Sequence, residues 1–200
     1  MPAARNKPGK PTLGAKRETI RAMLAPGRPL DLGRVHEVVA LVASQPRRLA
    51  ALIECLWDDD AGIANRAADA LERLTGGRAP LLHPRRLAPW KEALLGLLPE
   101  ARFNKLRWNL ALTLPRIPLF AAEAQRAAVS LRGYLDDRGS IVKTAAMHGL
   151  AGLTEHDPSL LPEVVDLLRI LSRSGTPAMR ARGRILLKKL ALRENFAPPA

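Results

Sequence analysis

Asp58, Asp59 and Asp60 stand side by side, and clustered carboxylates are the material from which a divalent-cation site is built. The calcium-loop pattern fails, however: counting from Asp58, the sixth position is Ile63, where the sharp turn needs Gly. Asp136 and Asp137 fall at the same place in a later stretch, and Glu100 in an intermediate one, each just ahead of a helical run. Carboxylates there cap free backbone N–H groups and meet the positive end of the helix dipole, so capping is expected and a metal is not. The four histidines, His36, His83, His148 and His156, form no H-E-x-x-H pair and have no carboxylate at catalytic spacing. No G-x-S-x-G elbow, phosphate-binding P-loop or G-x-G-x-x-G occurs. Cys55 is the only cysteine and sits among Leu52, Ile53 and Leu56, the setting of a buried, inert thiol. Alone it forms neither an intramolecular disulfide nor a multi-thiolate metal site. The reading is therefore of a protein that binds, with no catalytic residue, metal or cofactor. Trp108, between Arg107 and Asn109, is the side chain best suited to that work: it can anchor a partner, stack on a base, or fill a packing gap.

These residues are positioned by a phrase that occurs four times, beginning at Ile63, Phe103, Val142 and Met179, with starts 40, 39 and 37 residues apart. Apolar or small residues mostly fill its first, fifth, eighth, ninth and twelfth places, and the twelfth is always Leu: Leu74, Leu114, Leu153 and Leu190. That is the spacing of one helix face. Before each phrase runs another apolar stripe: Leu49, Leu52, Ile53 and Leu56; Leu87, Trp90, Leu94, Leu97 and Leu98; Ala124, Ala128, Leu131 and Leu135; Leu161, Val164, Leu168 and Leu171. Trp57 and Trp90 follow these stripes and read as structural. With 47% hydrophobic residues but only 4% aromatic ones in 200 residues, the chain is rich in helix-forming Leu and Ala and poor in strand formers. One helix pair cannot bury its own apolar face, so a period near 40 predicts an all-α protein. The expected architecture is an α-solenoid of about four helix pairs, preceded by a degenerate N-terminal helix that buries Val35, Val38, Val39 and Val42.

The phrase Ile63-Ala-Asn-Arg-Ala-Ala-Asp-Ala-Leu-Glu-Arg-Leu74 resembles the second helix of HEAT repeats, in which an aliphatic residue precedes a basic one and small residues lead to a closing Leu. Val142-Lys143 and Met179-Arg180 fit the same start. Phe103-Asn104 departs from it, as do Arg107 and Trp108 where small residues are usual, so the second unit is expected to be the least regular. Residues 46–190 thus look like four HEAT repeats. The resemblance implies that the second helices line a concave face. On a helix the third, seventh and tenth places point away from the core stripe, giving Asn65, Asp69 and Glu72; Lys105, Asn109 and Leu112; Thr144, His148 and Ala151; and Ala181, Ile185 and Lys188. Such a mixed, weakly charged face suits a protein or peptide, with Lys105, Trp108, Asn109, Thr144 and His148 as the expected partner-binding residues.

Charge supplies the competing reading. The net charge is +13, but residues 1–30 hold seven Lys or Arg against Glu18, and residues 177–200 hold six against Glu194. The middle, 31–176, carries 19 basic and 17 acidic residues. Nucleic acid is therefore the alternative partner, held by the basic ends through Lys7, Lys10, Lys16, Arg17 and Arg21, and through Arg180, Arg182, Arg184, Lys188 and Lys189. A third reading is an enzyme similar to the alkylpurine DNA glycosylases, which are built from HEAT-like repeats. Asp69 with Arg66, Arg107 and Trp108 is the one set that imitates their acidic, basic and aromatic groups, and the near-neutral middle argues against it. We expect residues 1–28 to be a basic, Pro/Gly-rich and mostly flexible tail, 31–192 the solenoid, and 193–200 a flexible end. No stretch has the length of a membrane span, and the basic N-terminus lacks the apolar core of a secretory signal, so a cytoplasmic, noncatalytic protein is expected.

Overall fold

The computed structural model describes residues 18–194. Among them lie ten α-helices and no strand. Helices α1 (Ile20–Leu24) and α2 (Val35–Ser44) precede four pairs. These are α3 (Leu49–Glu54) with α4 (Ala61–Thr75), α5 (Lys91–Glu100) with α6 (Asn104–Thr113), α7 (Ala121–Gly133) with α8 (Ser140–Leu153), and α9 (Leu161–Ser174) with α10 (Pro177–Glu194). The second helices stack in sequence, α4 on α6, α6 on α8 and α8 on α10, with α2 laid against α4. They crowd one another more than the first helices do, which puts them on the inner side of the stack.

The repeated phrase accounts for this stacking place by place. In α4 its Ile63, Ala67, Ala70, Leu71 and Leu74 are all buried, and in α8 so are Val142, Ala146, Leu150 and Leu153. Each large aliphatic side chain removed from water contributes about 1.5–3 kcal/mol, so every seam between units is held chiefly by apolar burial. Small residues set its closeness. A Cβ on Gly149 would lie 2.6 Å from the Ala111 carbonyl oxygen and 2.7 Å from Leu131 Cδ1, so α8 approaches α6 and α7 more nearly than any larger residue permits. Pro46 and Pro158 open 3₁₀ turns and Pro162 is the second residue of α9, places where the missing N–H costs little, whereas Pro89 lies inside a 3₁₀ stretch and Pro99 inside the last turn of α5. The second unit is the irregular one, its α6 having 10 residues against 15, 14 and 18 in α4, α8 and α10.

Of the aspartates, Asp60 caps α4, accepting hydrogen bonds from the Gly62 and Ile63 N–H groups at 2.7 and 3.1 Å. Asp137 instead braces the turn ahead of α8, accepting the Gly139 N–H at 2.6 Å, and α8 has no side-chain cap. Glu100 does not take this part: α6 has no side-chain cap of its own, and Asn65 from the preceding unit accepts the Leu106 N–H at 3.0 Å instead. Trp57 also departs from expectation, being 43% exposed, because the chain tightens into a 3₁₀ turn at Cys55–Trp57 and turns the indole outward. No helix among the described residues is long and apolar enough to cross a membrane, and no group of three or more metal-ligating side chains occurs among them.

Within the stretch expected to be tail, α1 is docked, with Ile20, Met23 and Leu24 buried. Arg66, fully buried, holds it there. Its Nε donates to the Leu24 carbonyl at 2.5 Å, and its terminal nitrogens donate to Ala25 at 3.1 Å and Arg28 at 2.8 Å. A cation buried without a carboxylate is costly. Here the negative end of a short helix and the loop behind it supply three oxygens.

Candidate binding face

The exposed edges of α4, α6, α8 and α10 form one face that changes character along the stack. At its α4–α6 end the charges neutralise one another. Asp69 Oδ2 receives Arg73 Nε at 3.2 Å and lies 3.8 Å from Lys105 Nζ. Glu72 pairs with Arg116 at 2.7 Å, and Arg116 also donates to the Glu72 carbonyl. Asn65, Asp69, Lys105 and Asn109 are all buried, contrary to the expectation that the third and seventh places point into solvent. The reason is the neighbouring helix: in a stack, part of what a lone helix would show to water is covered by the next unit. Trp108 Nε1 donates to Asn109 Oδ1 at 2.9 Å, while the Asn109 amide nitrogen and the Thr113 hydroxyl are buried with no hydrogen-bond partner among the described residues.

Farther along, the face opens. A groove of about 270 Å³ lies between α6, α8 and α10, lined by Trp108, Leu112, Ile141, Thr144, Ala145, His148 and Arg182. Three of the five expected partner-binding residues line it, namely Trp108, Thr144 and His148. Lys105 and Asn109 lie beneath the surface beside it. Thr144 turns its hydroxyl onto the Ser140 and Ile141 carbonyls at 3.0 and 2.9 Å, so the groove wall there presents mainly its methyl group. Burial first, then the cations Arg182, Lys189 and Arg116, push the His148 imidazole down to about 4 against the opposing pull of Glu72; at neutral pH it is an uncharged wall. Ile141 and Ile185, 59% and 60% exposed, stand on α8 and α10. Their apolar character was visible in the sequence, whereas the convergence of Ile141 with Trp108 depends on tertiary stacking.

The basic residues do not form one surface. Lys7, Lys10, Lys16 and Arg17 lie outside the described residues. Arg21 is engaged with Asp58, its Nε 2.6 Å from the carboxylate. Burial opposes ionisation of Asp58, yet Arg21 and the Asp60 N–H hold its carboxyl below the usual range. Arg180 donates to the Gly175 carbonyl at 2.8 Å. Arg182, Arg184, Lys188 and Lys189 are exposed. Arg182 and Lys189, two turns apart, share the flank facing His148; Arg184 is nearly half a turn away. The set around Asp69 is not assembled either: Arg66 points to the N-terminal segment, and Arg107 pairs with Asp137 of the next unit at 2.9 Å.

A second groove, of about 280 Å³, was not foreseen; it lies at the loop edge between the first two units, where Trp57, Arg102 and Phe103 meet Leu56, Leu97 and Leu106. Cys55 is buried, its Sγ donating to the Ala51 carbonyl at 3.2 Å, and burial, reinforced by Asp58, pushes its pKa up to about 11.

No family model matches this chain, and no curated protein matches it. Among solved structures it is similar to a designed armadillo repeat protein, with 17% identity, a TM-score of 0.56, and 86% of this chain and 80% of that one covered. It is likewise similar to an engineered protein, with 15% identity, a TM-score of 0.56, and coverage of 86% and 78%. At such identities the likeness concerns fold alone. The chain is an all-helical repeat solenoid; the finer assignment to HEAT repeats does not follow from these neighbours.

Proposed function

We propose that this solenoid, its units of HEAT type and its body spanning 31–192, is a noncatalytic scaffold that grips a protein or peptide on the face formed by its second helices. The observation that carries this reading is the groove between α6, α8 and α10, where Trp108 and Ile141 meet neutral His148 on a face whose α4–α6 end is closed by its own ion pairs. A buried aromatic anchor site rimmed by polar groups is the usual centre of a protein interface. The single, buried thiol suits the cytoplasm as the setting.

The test is affinity capture of the tagged protein from native lysate, with and without nuclease, beside an Ile141→Glu variant. Ile141 is exposed, so the variant keeps the core. A protein retained after nuclease and lost with Ile141→Glu is the expected result. Equal capture by both refutes the face. Proteins that leave with nuclease favour the nucleic-acid reading, which the exposed Arg182, Arg184, Lys188 and Lys189, with no carboxylate partner among the described residues, keep as the second alternative.

A further inference from the structure

The two ends of the binding face differ in charge balance, and the difference specifies what can sit there. Toward α4 every described cation on the face has a carboxylate: Arg73 and Lys105 share Asp69, and Arg116 has Glu72. Toward α10, Arg182 and Lys189 are exposed with no carboxylate partner among the described residues, two turns apart on the flank that borders the groove. Between them α10 presents Ile185. The groove itself is smaller than the roughly 300–1,000 Å³ of pockets that enclose a drug-sized ligand, which leaves room for about one large side chain. Its walls offer little to read a polar group: Thr144 spends its hydroxyl on its own helix, and the Trp108 N–H is already donated to Asn109.

We propose, resting on the scaffold reading above, that this groove takes one large apolar side chain from an extended peptide whose next residues are acidic, their carboxylates meeting Arg182 and Lys189. A phosphate backbone fits less well. It needs a continuous line of cations, whereas here two cations are separated by exposed isoleucine and Arg184 faces elsewhere. The apolar side chain supplies affinity by burial, and the cation pair selects by sign.

The proposal is tested with synthetic peptides in which a central Leu is followed by two Asp, titrated into the full chain while the indole N–H of Trp108 is followed by NMR. Parallel peptides carry Ala for Leu, or two Lys for the two Asp. The Leu-Asp-Asp peptide should shift the Trp108 signal, and each replacement should weaken binding roughly five- to ten-fold. Arg182→Glu, a surface change checked for folding by circular dichroism, should reverse the order so that the Lys peptide binds better. Indifference to the acidic residues, or an unchanged order in Arg182→Glu, overturns the proposal. So does a stronger Trp108 shift from a short single-stranded oligothymidylate. If lysate capture still yields a nuclease-resistant partner lost with Ile141→Glu, the scaffold reading survives such a failure and the acidic code alone is rejected.

Discussion

At the scale of single residues, His148 makes the clearest prediction. Its folded pKa of about 4 lies below the ordinary value of 6.5, pushed there by burial and by Arg182, Lys189 and Arg116 against Glu72. Between those values the unfolded chain binds a proton that the folded chain refuses. The contribution is therefore fully present above about pH 6.5 and is lost as the pH falls toward 4. His148→Gln should flatten that part of the stability profile by roughly 1–2 kcal/mol, the full shift being discounted for the ring's partial exposure. Urea unfolding of both proteins across this range checks it; parallel profiles would show that the imidazole stays protonated in the fold. Cys55 lends itself to a simpler trial. With its thiol pushed up to about 11 and buried, it should resist iodoacetamide at neutral pH in the native protein and react promptly in urea.

At the scale of elements, glycines inside helices have opposite values in different places. In α5, Gly96 is exposed with nothing near an added Cβ, whereas in α8 the same Cβ would strike the Ala111 backbone and Leu131. Gly96→Ala should raise stability by about 0.5–1 kcal/mol through helix propensity alone. Gly149→Ala should lower it by about 1–3 kcal/mol, because backbone must move. Denaturant midpoints for the two variants moving in the same direction would contradict the close approach of α8 to α6. The helices themselves were legible in sequence because their core stripes repeat: Leu52, Ile53, Leu94, Leu98, Leu131, Val164 and Leu168 are all buried as the spacing requires. Burial of Asn65, Asp69, Lys105 and Asn109 was not, since a helical wheel describes one helix and these residues are covered by the next. Trp57 escaped for a related reason: the stripe assumes an α-helix, and a tighter turn rotates the last side chain off it.

At the scale of the whole molecule, the two ends of the stack are finished differently. At one end α1 is seated by its buried Ile20, Met23 and Leu24 and by the Arg21–Asp58 pair, and buried Arg66 pins its C-terminal end and the loop behind it by donating to three carbonyls; at the other α10 turns basic and apolar residues to solvent. In a stack whose units touch mainly their neighbours, damage at an end stays there. Arg66→Leu should release α1 by about 3 kcal/mol, a ~100-fold loss of amide protection at Ile20–Leu24, and leave α6 through α10 as protected as before. Hydrogen exchange resolved by residue distinguishes this from global destabilisation, in which protection would fall everywhere together. The groove at α6, α8 and α10 was half visible in the same way: the phrase put Thr144 and His148 at outward places and Trp108 stood out where small residues are usual, but Arg182 joined them only once the last unit was stacked.

The side-chain hydrogen bonds between units join residues no more than 44 positions apart among the described residues, as with Arg116 and Glu72, and none runs the length of the molecule. A load applied to the two ends therefore passes through the units in series. Under tension the weakest seam between neighbours, and not the sum of all seams, sets the force at which the molecule opens.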